Sequence, residues 1–123
     1  LFKHVEQISQ VIAISSGAAV NGSRGWNGYS ISKAALNMLV KLYSVENPQT
    51  HFCSLAPGLV DTAMQDYLCS EKDTDKFPSL ARIQSCRGTE NMPNPEQLAE
   101  KLPQIIDQVR GFESGCFKDI RKL

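Results

Sequence analysis

The sequence predicts an α/β fold, half of a doubly wound parallel sheet, on three observations. Short, apolar runs, the first of them β-branched, alternate with longer stretches of helical period. The first two runs each end in turn-forming residues, Ser15-Ser16-Gly17 and Pro57-Gly58. The segments between runs are long enough to cross over a sheet and begin the next strand in parallel.

The elements follow in order. Gln10-Val11-Ile12-Ala13-Ile14 suits a buried parallel strand. Gly17, Gly22, Gly25 and Gly28 then make a loop rich in positions free to take positive φ. From about Gly28 to Tyr43 the pattern turns helical, with Ala35, Leu36, Leu39, Val40 and Tyr43 on one stripe, and Glu46-Asn47-Pro48 stops it. His51-Phe52-Cys53-Ser54-Leu55-Ala56 reads as a second buried strand. Residues 62–93 hold scattered apolar side chains among charges and prolines, and short helices on a mobile excursion are expected there. Asn94, Pro95 and Gln97 form the start signal of a further helix, whose apolar face is Leu98, Leu102, Ile105, Ile106 and Val109. Pro103 inside that pattern predicts a kink. Ser114 to Ile120 reads as the last strand.

Composition narrows the function. The 123 residues make one domain at most, and 13 basic against 13 acidic side chains leave no net charge. Without a basic cluster no nucleic-acid partner is expected. No apolar run approaches the roughly 20 residues of a membrane helix, and Leu1 to Glu6 show no secretory leader pattern. A soluble, cytoplasmic protein is the expectation. Cys53, Cys69, Cys86 and Cys116 are scattered, without C-x-x-C pairing, and read as reduced core residues. His4 and His51 lack ligand-spaced neighbours, so no metal site is expected. Gly17 and Gly22 have phosphate-loop spacing, but Ser23-Arg24 stand where Lys and Ser/Thr are needed.

Chemistry gathers at Tyr29 and Lys33. Four apart at a helix start, they share a face, and an ammonium close to a phenol favours the phenolate form. Alone, such a pair is common on helix surfaces. Its placement is less common: Ser16 ends a strand thirteen residues earlier, and Pro57-Gly58 ends the adjacent strand at the same edge. Ligands of open α/β sheets bind at the carboxyl ends of strands, where these segments converge.

Ile14-Ser15-Ser16, Tyr29-Ser30-Ile31-Ser32-Lys33-Ala34-Ala35 and Pro57-Gly58-Leu59-Val60-Asp61-Thr62 together resemble the short-chain dehydrogenase/reductase family, as does the Ser-to-Tyr interval. Ser16-Gly17, Gly25-Trp26, Tyr29 and the run from Pro57 to Gln65 are similar to its sepiapterin reductase branch and to the related benzil (diketone) reductases. The tail from Ser114 to Asp119 resembles that branch's last strand.

The resemblance implies a Rossmann-type sheet and an NADP(H)-dependent carbonyl reductase. Tyr29 would protonate the substrate carbonyl as hydride arrives. Lys33 would bind the nicotinamide ribose, and Ser16 would hydrogen-bond the same carbonyl oxygen. Val60 and Thr62 would fix the nicotinamide carboxamide, with Asp61, Ala63, Met64 and Gln65 completing the cofactor loop. Gly58 would lie against substrate, and Asp119 would accept the amino-pyrimidine edge of a pterin. Asp61 and Thr62 equally suit a helix cap, and Trp26 either lines the pocket or packs under the loop. A homodimer paired through helices is implied as well.

The family's amino-terminal, glycine-rich dinucleotide turn has no counterpart in these residues. Residues 1–123 are therefore expected to be the carboxyl-terminal catalytic portion of one reductase domain. A general diketone reductase is the alternative. A non-catalytic relative, kept for association through its exposed sheet edge and the Tyr29–Tyr43 helix, is the other.

Overall fold

The computed structural model describes residues 7–123. The readings of Leu1 to Glu6 and of His4 lie outside the described residues.

Three parallel strands form one sheet in the order β1 (Gln10–Ile14), β2 (His51–Ala56), β3 (Cys116–Asp119). Ile12 stands opposite Cys53 in the first pair, and Cys53 opposite Cys116 in the second. β2 is the central strand, and its residues from Phe52 to Ala56 are all buried. That burial on both faces explains its near-continuous apolar sequence.

Alternate side chains of β2 serve opposite layers. Cys53 and Leu55 are fully buried with Val109 of α4 (Pro95–Val109), and Ile12, Leu102, Ile105, Cys116 and Ile120 pack around them. On the other face Phe52 stacks on Tyr43 of α1 (Asn27–Glu46), ring centroids 6.3 Å apart, and Val40 is buried beneath the same helix. The result is helix, sheet, helix.

α4 begins as its sequence predicts. The Asn94 side chain accepts from the Gln97 backbone N–H, and the Gln97 side chain accepts from the Asn94 N–H. The helix continues through Pro103, which has no N–H to bond the preceding turn. Residues 62–93 resolve into α2 (Ala63–Ser70) and α3 (Pro78–Cys86), joined where Gln84 donates to the Glu71 carbonyl.

Two boundaries differ from expectation. α1 runs on to Glu46 before Asn47 caps it. β3 is shorter than Ser114 to Ile120, for a local reason. The Ser114 hydroxyl accepts the Phe52 N–H, and Gly115 takes φ +86°, so neither extends the strand.

Burial, and then the adjacent Cys116 thiol, pushes the Cys53 thiol up to about 12. The two sulfurs are 3.8 Å apart and unbridged. Native protein treated with iodoacetamide near pH 8 is expected to lose Cys69 and Cys86 thiols while Cys53 stays unmodified, read by peptide mapping. Leu55→Ala opens a cavity in the fully buried cluster. It is expected to cost about 3 kcal/mol of unfolding free energy, measured by urea titration of the full polypeptide.

Candidate active site

The end of β1 is tightly held. The Ser15 N–H donates to the Leu55 carbonyl at 2.8 Å, and its hydroxyl donates to Asn37 of α1 at 2.6 Å. Ser16 follows in extended conformation, and its Oγ accepts the Ala18 N–H at 3.1 Å, capping a single 3₁₀ turn, Gly17–Ala19. An accepting hydroxyl keeps its own O–H to donate.

The second turn of α1 reaches this strand end. Lys33 Nζ donates to the Ile14 carbonyl at 2.9 Å and sits 5.8 Å from the centre of the Tyr29 ring. Tyr29 meets Trp26 edge-on, centroids 5.6 Å apart. Trp26 Nε1 donates to Ser79 at 2.8 Å, so the indole ties the glycine loop to α3.

A cavity of about 340 Å³ opens beside these groups. Ser16, Gly17, Trp26, Gly58, Arg82 and Arg121 are among its lining residues. Tyr29 and Lys33 are not; Tyr29 meets the cavity wall through Trp26. Trp26 itself lines the cavity.

The loop after β2 forms the second wall. Gly58 has φ +78°, and a Cβ there would come within 3.4 Å of the Arg121 side chain. The positive φ is what requires glycine. The Asp61 N–H donates to the Pro93 carbonyl, and its carboxylate pairs with Arg87, which also binds Asp66 on α2. Thr62 stands at the N-cap of α2, yet its side chain makes no capping bond, and neither does that of Asp61. Gln65 is buried with Oε1 unpartnered among the described residues. The exposed Thr62 hydroxyl, free of a capping bond, is available to a cofactor's polar group. Val60 is half-buried, whereas Ala63 and Met64 are exposed on α2.

Asp119 corrects the expectation of a free carboxylate edge. It is buried at the end of β3, and both its oxygens accept from Arg121, Nε to Oδ1 at 2.8 Å and Nη2 to Oδ2 at 2.5 Å. A buried carboxylate needs donors, and the guanidinium two residues on supplies them. A pterin edge would have to displace it. Arg82, Arg87 and Arg121 were not singled out from sequence. For Arg121 a signal existed, a carboxylate entering a buried strand end with a cation two positions later.

Three parallel strands with helices on both faces make the sheet of a Rossmann-type α/β fold. The short chain dehydrogenase family matches residues 3–73, and the chain belongs to that family, whose members use nicotinamide cofactors. It is 31% identical over 117 residues to a benzil reductase ((S)-benzoin forming) of Bacillus subtilis, covering 92% of this chain and 47% of that protein. It is 34% identical over 110 residues to sepiapterin reductase of Rattus norvegicus, covering 89% of this chain and 40% of that protein. The crystal structure of the KRED1-Pglu enzyme superposes with a TM-score of 0.72 at 27% identity, covering 89% of this chain and 46% of that one. The chain spans about half the length, or less, of the relatives it matches. No helix among the described residues is long and apolar enough to cross a membrane.

Hydrogen bonding by Arg121, the largest influence, holds the Asp119 carboxyl below its ordinary 3.8. A lowered pKa in the fold means the link stabilises fully above about pH 5 and is lost as pH falls through 4 and below. Urea midpoints at pH 7 and pH 3.5 are expected to differ more for the natural protein than for Asp119→Asn.

Proposed function

We propose that residues 1–123 are the carboxyl-terminal catalytic portion of an NADP(H)-dependent carbonyl reductase acting on ketones or dicarbonyls. The observation that carries this reading is the Lys33–Ile14 bond. It fixes the Tyr29 helix turn against the strand end that leads into Ser16, with a ligand-sized cavity alongside.

As hydride adds to a carbonyl carbon, negative charge develops on oxygen. Tyr29 supplies the proton to that oxygen. Its hydroxyl has no hydrogen bond among the described residues, and its ring meets Trp26, which lines the cavity. Ser16 donates its O–H to the same atom, a contribution of roughly 3 kcal/mol in comparable sites. Lys33 keeps two further N–H groups beyond the one given to Ile14, suited to a ribose. Bound reduced nicotinamide supplies the hydride. Val60, Thr62 and Gln65 hold its carboxamide side, with Asp61, Ala63 and Met64 completing the loop, and Gly58 gives the substrate room.

The engagement of Asp119 by Arg121 favours a dicarbonyl substrate, the class that the name of the Bacillus relative suggests, over a pterin anchored on Asp119 itself. Ile31, Met38, Leu42 and Val45 form an exposed apolar stripe on α1, which supports pairing of two copies in a cytoplasmic homodimer.

Tyr29→Phe in the full polypeptide is expected to lower kcat about a hundredfold or more while leaving NADPH affinity nearly unchanged, measured by steady-state kinetics and calorimetry. Unaltered turnover would rule out the proton-donor role.

A further inference from the structure

The cavity beside Ser16 carries two guanidinium groups and no carboxylate among its lining residues. Arg121 is built into place. Asp119, 7% exposed, grips it from behind through Nε and Nη2 and accepts its backbone N–H as well. The aliphatic part of Arg121 lies along Gly58, and Nη2 lies 3.5 Å from where a Cβ of Gly17 would stand. Both strand-end loops thus lie in van der Waals range of the Arg121 side chain. A guanidinium has five N–H donors, and Asp119 takes two, so three remain for a ligand. Arg82, from α3, lines the same cavity and has no ion pair among the described residues. Asp119 offsets one of the two charges, so among the described residues the cavity that Ser16 also lines retains an uncompensated positive charge.

We propose that this cavity selects carbonyl substrates bearing an oxyanion, a carboxylate in the first instance, which docks on Arg121 and Arg82 while the carbonyl faces Ser16. The inference rests on the carbonyl-reductase reading and names its substrate class. An oxo acid fits the geometry, since a planar guanidinium held rigidly at one edge offers its free edge to two carboxylate oxygens. In this arrangement Asp119 is a positioning residue, and Arg121 is the group that meets substrate.

Phenylglyoxylate and its methyl ester test this directly, being similar in shape and different in charge. With the full polypeptide and NADPH, the acid is expected to show a kcat/KM at least about tenfold above the ester, a preference that shrinks as salt is raised. Arg82→Met and Arg121→Met are each expected to lower kcat/KM for the acid about tenfold and to change the ester less than about threefold. Arg82 is exposed and bound to no buried group, so its variant keeps the test decisive if Arg121→Met fails to fold for want of a partner to Asp119. Equal kcat/KM for acid and ester, or equal losses on both in the Arg82 variant, would overturn the proposal. If neither compound is reduced, the carbonyl-reductase reading fails. The anion site is then judged by calorimetry with the NADP⁺ complex: tighter binding of acid than ester upholds it, and equal binding overturns it. Benzoylphosphonate binding more tightly than phenylglyoxylate would uphold the oxyanion site and assign it to phosphoryl compounds.

Discussion

The structure depends on one constraint, the parallel pairing of β2 with both of its neighbours. Because all three strands run the same way, Ser16, Gly58 and Asp119 emerge at one rim although the sequence separates them by tens of residues. Antiparallel pairing of either neighbour would send one of them to the opposite end of the sheet. The burial of β2 on both faces holds this arrangement. Cys53 and Leu55 are locked against α4, and Phe52 against α1, so a one-residue slip would exchange the two layers.

On that rim, polar groups are positioned by backbone bonds as much as by one another. Lys33 holds the Ile14 carbonyl, Ser16 caps its own turn, and Trp26 is pinned to Ser79. Such anchoring fixes side chains before any ligand arrives, which is what electrostatic stabilisation of a developing charge requires. The excursion carrying α2 and α3 belongs to the same construction. Arg87 joins it to Asp61 of the loop after β2, while Ser79 and Arg82 of α3 reach the cavity.

The carboxyl terminus changes character once its side chains are placed. Asp119 has the position of a ligand-binding carboxylate, at the end of a strand on the open rim. Burial makes a lone carboxylate there costly, and Arg121 satisfies both oxygens. The chemistry presented to the cavity is therefore a cation's, the reverse of what the acidic residue alone suggests.

Strand and helix identities were legible in the sequence because they rest on local causes. Short apolar runs ending in turn residues marked β1 and β2 to the residue, and the Asn94–Gln97 capping pair marked the start of α4. The Tyr29–Lys33 face was legible too, since spacing of four on a helix is a property of the backbone. Other features needed the folded chain. That Ser114 accepts the Phe52 N–H and so shortens β3 depends on a neighbour 62 residues away. That Arg87 meets Asp61 and Asp66, and that Arg82 and Arg121 share a cavity with Ser16, follows from how α2 and α3 settle over the rim. Periodicity and capping report what a residue does to its own backbone. Which charges face each other across a cavity is decided by packing between distant segments, and no local pattern encodes it.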